Sequence, residues 1–100
     1  MNHNYFVYII TNPKKSVLYT GVTNDLANRL QEHFANKGNK STFAGRYFCF
    51  NLLYFEQFDR VEHAIAREKE IKGWTREKKE NLISKTNAEW RFLNRDVKDL

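Results

Sequence analysis

The sequence predicts an α+β domain, a small three-stranded antiparallel sheet flanked by helices in the order ββαβαα. Three observations point there. A β-branched and aromatic run, YFVYIIT over residues 5–11, is followed after the turn NPKKS by a second extended run, VLYTGV over 17–22, the pattern of a hairpin. Leu26, Leu30 and Phe34 then recur at i, i+4 and i+8, the stripe of a helix laid on a core. RYFCFNLLYFEQF, residues 46–58, supplies a third strand at about 51–58 and precedes two further helical stretches.

Taken in order, Asn12-Pro13 initiates the hairpin turn, and Lys14 and Lys15 keep it in water. Thr23 or Asn24 is placed to cap the first helix. NKGNKSTFAG, residues 36–45, is polar, basic and glycine-containing, and is expected to be a mobile loop. Asp59 is the expected N-cap of a helix over 61–73 that Gly73 ends. Thr75 should cap a helix over 75–85 with Leu82 and Ile83 facing inward. Trp90, Phe92 and Leu93 give the tail, 86–100, enough apolar surface to dock on the rest. Without repeats, low-complexity tracts or linkers, residues 1–100 read as a single domain.

At 41% apolar and 15% aromatic residues the chain has the composition of a folded domain, not of a disordered one. No apolar run approaches the ~18 residues of a membrane span, and the opening MNHNYFVYII lacks a basic n-region and a cleavage site. A lone cysteine, Cys49, excludes an internal disulfide and is too little for a structural zinc site. A reducing, cytoplasmic setting is the default expectation. The net charge of +5 suggests a polyanionic partner. Its distribution is sharper: residues 1–55 hold six bases (Lys14, Lys15, Arg29, Lys37, Lys40, Arg46) against two acids, Asp25 and Glu32, whereas the remainder is nearly balanced.

Several side chains stand out against this frame. Glu68 lies on a helical wheel between Ala64 and Ile71 on one side and Ile65 on the other. A carboxylate in an apolar arc needs a partner, either an i,i+4 ion pair with Lys72 or a hard divalent metal, for which one carboxylate plus waters can suffice. Arg29 and His33 stand one above the other on the first helix, as a phosphate grip beside a proton carrier or as an ordinary solvated flank. Tyr8 and Tyr19 lie on adjacent strands, where alternation can place both on one face, as core or as chemistry. Gly21 closes the second strand where a missing Cβ permits positive φ or a close approach.

In their joint order these residues resemble a known family. Tyr8 in FVYII, ten intervening residues, and then Tyr19-Thr20-Gly21 resemble the paired signature of GIY-YIG nucleases. Arg29 follows at the family's distance, His33 lies one turn later, and AIAREKEIKGW resembles the helix that carries the family's metal-binding glutamate, here Glu68. The resemblance covers nearly the whole chain and is closest to the small single-domain branch, similar to the N-terminal catalytic module of the nucleotide-excision excinuclease. The chain departs from the pattern at Phe6-Val7, where Gly-Ile is usual, and at Thr20, where isoleucine is usual. Neither departure removes a reactive group. Asn81 and Asn87 are both candidates for the family's downstream asparagine.

The resemblance implies a GIY-YIG-like fold with a catalytic core at about 4–85, and a DNA endonuclease with DNA repair as its setting. Glu68 would hold one divalent ion, Mg²⁺ or Mn²⁺, and no small-molecule cofactor is implied. Tyr8 or Tyr19 would help deprotonate water, Arg29 would stabilise charge on the phosphate, and His33 would orient or relay a proton. The expected products are a 5′-phosphate and a 3′-hydroxyl. Gly21, Asn24, Lys14, Lys15, Lys37, Lys40, Arg46 and Lys72 would contact the nucleic acid, with Arg76, Lys78 and Lys79 extending the track. Lacking a reader module, such a domain is expected to cut structure-selectively or non-specifically, with targeting by a protein partner and RNA as substrate both left open. The alternatives are a catalytically idle binding module of the same fold and a purely structural domain.

Overall fold

The computed structural model describes residues 4–98; the extreme N-terminal residues used in the leader-peptide reading lie outside them. The chain runs β1 (Tyr5–Thr11), β2 (Leu18–Thr23), α1 (Leu26–Ala35), α2 (Phe43–Arg46), β3 (Asn51–Phe58), α3 (Val61–Lys72), α4 (Arg76–Thr86) and a 3₁₀ turn at Asn94–Val97. The predicted three-stranded antiparallel sheet is present, in the order β2-β1-β3. The short α2 and the 3₁₀ turn are additions to the predicted order.

β1 is the central strand, and its alternating side chains feed two cores. Phe6, Tyr8 and Ile10 pack with Leu52 of β3, Leu26 and Leu30 of α1, Ala44 of α2 and Val97 of the 3₁₀ turn. Val7 and Ile9 pack with Leu53 and Tyr54 of β3, Ala64 and Ile71 of α3 and Ile83 of α4. Burial on both faces explains why this strand reads as an almost unbroken apolar run. A bulge opposite Ile9 and Ile10 turns Leu53 and Tyr54 to the same side of β3. Cys49 is buried in the first core, where burial pushes its thiol up to about 11. Among the described residues no helix is long and apolar enough to cross a membrane.

The hairpin turn is fixed by Asn12, whose Oδ1 accepts from the backbone N–H of Ser16 at 2.8 Å and of Val17 at 3.1 Å. Four local expectations are corrected. The cap of α1 is Asp25, accepting from the Asn28 N–H at 3.1 Å, because Thr23 is engaged one step earlier with the N–H of Asp25. The buried stripe of α1 runs through Leu26, Leu30 and His33, leaving Phe34 53% exposed. The helix is rotated so that i+7, not i+8, meets the sheet. α3 begins after Arg60, not Asp59, and Gly73 ends it with φ −81°, without a left-handed turn. Thr75 does cap α4, accepting from Lys78 N–H, with Ile83 buried and Leu82 half-buried.

The fourth correction concerns residues 36–45, which are folded and not a plain loop. The Gly38 N–H donates to the Gly45 carbonyl at 2.8 Å, Thr42 caps α2 by accepting from Gly45 N–H at 3.0 Å, and Arg46 donates to the Lys40 carbonyl at 3.1 Å. A Cβ at Gly45 would lie 2.8 Å from the Asn36 carbonyl oxygen, so the tight return depends on glycine.

The tail docks through its backbone as much as through its apolar residues. The Leu93 N–H donates to the Leu52 carbonyl at 2.8 Å. Asn94 accepts from Leu52 N–H at 2.8 Å and donates to the Phe50 carbonyl at 2.9 Å. Leu93 packs on the first core and Trp90 on the second. Phe92 stays 38% exposed, with the Lys15 ammonium 5.2 Å from its ring centroid.

Candidate active site

Tyr8 and Gly21 face each other across β1 and β2. The buried phenol of Tyr8 fills the space above Gly21, so that a Cβ there would lie 2.5 Å from Tyr8 Cζ. Gly21 is not in the left-handed region; what its missing side chain admits is a neighbouring ring. Tyr19 pairs with Ile10 and so faces the same side as Tyr8, the ring centroids 6.5 Å apart. α1 then delivers His33, packed edge-on against Tyr8 at 5.7 Å and against Tyr19 at 5.6 Å. His33 Nε2 and the Tyr8 hydroxyl share a 2.8 Å hydrogen bond. One turn earlier, Arg29 donates to Glu32 at 3.1 Å, its guanidinium close enough to Tyr8 to favour a phenolate there. Four predicted residues from three elements thus form one cluster.

The cluster is electrostatically polarised by its burial. Loss of solvent pushes the Tyr8 hydroxyl up to about 12, against the pull of Arg29. Loss of solvent, with the Arg29 charge second, pushes His33 down to about 4. Burial works against the Arg29 charge as well, but hydrogen bonding with Tyr8 and Glu32 outweighs it and raises the group. At neutral pH the phenol and imidazole are both uncharged beside a permanent cation.

On the opposite layer, Glu68 is nearly covered, its side chain 13% exposed, and pairs with Lys72 at 2.7 Å. The hydrogen bond to Glu68 raises the Lys72 ammonium. The Lys72 ammonium also stands 5.9 Å from the Tyr19 ring centroid, so this ion pair adjoins the tyrosine cluster. Ile65, which the helical wheel placed beside Glu68, is 40% exposed; Glu68 lies at the border of the buried face, not in its middle.

The other predicted residues are spread out. Lys14 and Lys37 line one hollow with Tyr47 and Phe48, while Lys40 and Arg46 line a second with Phe43. Asn24 is exposed on the β2–α1 turn. Arg76 is committed to structure, donating to the Ser16 and Lys15 carbonyls at 2.7 and 3.1 Å, and the Lys78 ammonium sits 4.4 Å from the Trp74 ring centroid. Asn87 is buried, its amide bound to the backbone of Leu53 and Arg91, whereas Asn81 lines a separate hollow with Trp74 and Lys78.

Two relationships had no sequence signal. Phe43 stacks on Tyr19, centroids 6.2 Å apart and planes at 26°. Arg67, next to Glu68, binds Glu56 of β3 through Nε and Nη2 and also Glu70. Tyr54 donates to the same Glu56. The strand–helix spacing of such a network follows no fixed period.

The GIY-YIG catalytic domain matches this chain over residues 4–81. The chain belongs to the GIY-YIG family. A UPF0213 protein of Haloquadratum walsbyi is 46% identical to it, over 82% of this chain and 89% of that protein. A UPF0213 protein of Bacillus pumilus is 37% identical over 98% and 97%. The solution NMR structure of a UPF0213 protein from Bacillus halodurans shares the fold at a TM-score of 0.54 and 36% identity, covering 87% of this chain and 89% of that one. GIY-YIG domains form a nuclease family, and such nucleases generally depend on a divalent metal. Among the described residues of this GIY-YIG domain no group of three or more His, Cys, Asp or Glu is gathered as a metal cage. The donor chemistry still fits a hard cation that keeps most of its water, since Glu68 offers a nearly covered carboxylate and leaves the remaining positions to water and phosphate.

Proposed function

We propose that this GIY-YIG domain is a metal-dependent endonuclease that hydrolyses phosphodiester bonds of DNA. The observation that carries the reading is the cluster itself: Tyr8, Tyr19, Arg29 and His33 converge from two strands and a helix, with Glu68 adjoining through Lys72.

Tyr19 is favoured as the base over Tyr8. It is half-buried, while Tyr8 is 1% exposed, bonded to His33 and raised to about 12 by burial. Tyr19, as phenolate, takes the proton of the attacking water, with Lys72 over the ring as counter-charge. The water oxygen bonds to phosphorus as the bond to the 3′ oxygen breaks, leaving a 5′-phosphate and, once the leaving oxygen is protonated from solvent, a 3′-hydroxyl. Arg29 holds the non-bridging oxygens as charge builds on them. Tyr8 and His33 are positioning residues that hold Arg29 and Tyr19 in place. A Mg²⁺ or Mn²⁺ ion held by Glu68 would supply charge neutralisation at the phosphate and the leaving oxygen.

The test is cleavage of labelled branched, single-stranded and duplex DNAs by the wild type and Glu68→Ala, with Mg²⁺, Mn²⁺ or EDTA. Metal-dependent cutting that Glu68→Ala abolishes is expected. One observation favours a second reading, an idle binding module: the Glu68 carboxylate already has a cationic partner in Lys72. Binding without cutting, indifferent to Glu68→Ala, would establish that reading instead.

A further inference from the structure

We propose that the surface built by α2 and the segments flanking it is a stacking platform for unpaired nucleotides, leading a single strand towards Tyr19. Where the strand leads rests on the nuclease reading; what the surface binds rests on its own composition. Phe34, Phe43, Tyr47 and Phe48 are 53%, 51%, 43% and 48% exposed within fifteen residues, far more aromatic surface than scattered apolar exposure supplies.

The rings are connected. Phe43 stacks on Tyr19 and lies 4.9 Å from Tyr47. Tyr47, Phe48 and Phe50 then line a hollow of about 380 Å³ with Pro13, Lys14 and Lys37, and Phe34 meets Phe50 edge-on at 5.2 Å. Phe48 holds a left-handed backbone, φ 58°, disfavoured for a bulky residue, with its ring left half outside. The segment is hydrogen-bonded into shape throughout, so the rings are presented by a structured support.

Charge decides the occupant. Residues 33–55 contain no acid, while Lys37, Lys40 and Arg46 lie among the rings and Lys14 joins them from the hairpin turn. Aromatic faces flanked only by cations suit bases and their phosphates together. A duplex keeps its base faces stacked and presents none to such a surface; an apolar peptide would not call for an acid-free border.

The experiment reads fluorescence anisotropy of labelled 15-mers on the wild-type chain in EDTA. Thymidine, uridine and abasic strands are compared with a blunt duplex. Base-dependent binding of thymidine or uridine strands over the abasic strand and duplex is expected, and their ratio says whether DNA or RNA is preferred. Phe34→Ala and Tyr47→Ala should each weaken base-containing strands by roughly 5- to 150-fold, the range found for removal of a stacking ring. They should leave the weak abasic binding unchanged, and Tyr47→Trp should restore affinity. Equal affinity for abasic and base-containing strands, or binding of an apolar peptide in place of any strand, would overturn the proposal. Because no metal is present, absence of cleavage elsewhere leaves this result standing; cleavage without base preference would remove the platform and spare the nuclease.

Discussion

Tyr8 lies across Gly21, and no room remains between them for a methyl group. The ring is buried and bonded to His33, so it has nowhere to swing. Gly21→Ala is expected to cost about 1–3 kcal/mol, the usual penalty for added volume in a packed core, and to break the Tyr8–His33 hydrogen bond. Urea denaturation measures it; a midpoint equal to the wild type would show that the ring can move.

The buried imidazole makes stability fall in acid. His33 titrates near 6.5 when exposed and at about 4 when folded, so between those values the unfolded chain binds more protons. Its contribution, about 3 kcal/mol, is complete above pH 6.5 and is lost as pH falls through 4. Tyr8, raised from 10 to about 12, acts in the opposite direction: its contribution is complete below pH 10 and is lost as pH rises through 12. Unfolding free energies from pH 4 to 8 on the wild type and His33→Gln are expected to show the acid slope only in the wild type.

The two tyrosines should separate under a single atom's removal. Tyr19→Phe is expected to lower single-turnover cleavage by about 10²- to 10⁴-fold with little change in thermal midpoint. Tyr8→Phe leaves an unpaired imidazole nitrogen in the core and is expected to cost about 1–3 kcal/mol of stability. Melting and single-turnover rates, measured side by side, check both; a reversed pattern would exchange the proposed roles.

Arg67 ties α3 to β3 immediately before Glu68. Both partners are a fifth to a quarter exposed, so Arg67→Met is expected to cost a solvent-discounted amount, about 1–2 kcal/mol. It should also raise the metal concentration needed for half-maximal cleavage, because Glu68 loses its fixed approach. Denaturation and a metal titration of cleavage, run on the same variant, separate the two effects.

What could be read beforehand follows from range. The strands and the capping Thr75 were legible because period and cap chemistry are local. Tyr8, Tyr19, Arg29 and His33 were legible as an ordered set because their spacing is kept within one hairpin and the helix after it. The rotation of α1 that buries His33 and exposes Phe34 was not, since a half-turn's difference is decided by what packs against the helix. The fold of residues 36–45 escaped for a related reason: its polar groups satisfy one another through Gly45, Thr42 and Arg46, and composition alone cannot distinguish such bonding from hydration. Glu56 and Arg67 meet only because β3 and α3 are brought together.

Leu93 and Asn94 bond to Leu52 and Phe50 along β3, which stands at one border of the sheet. They give that border what a further strand would give it, a donor and an acceptor in register, but from a segment too short and too bent to be extended by another. The chain thereby plugs the place where sheets of separate molecules would otherwise join. When the tail lets go, the backbone groups of Phe50 and Leu52 become a template for any extended chain. Resistance to aggregation at high concentration therefore depends on two residues that touch none of the proposed chemistry.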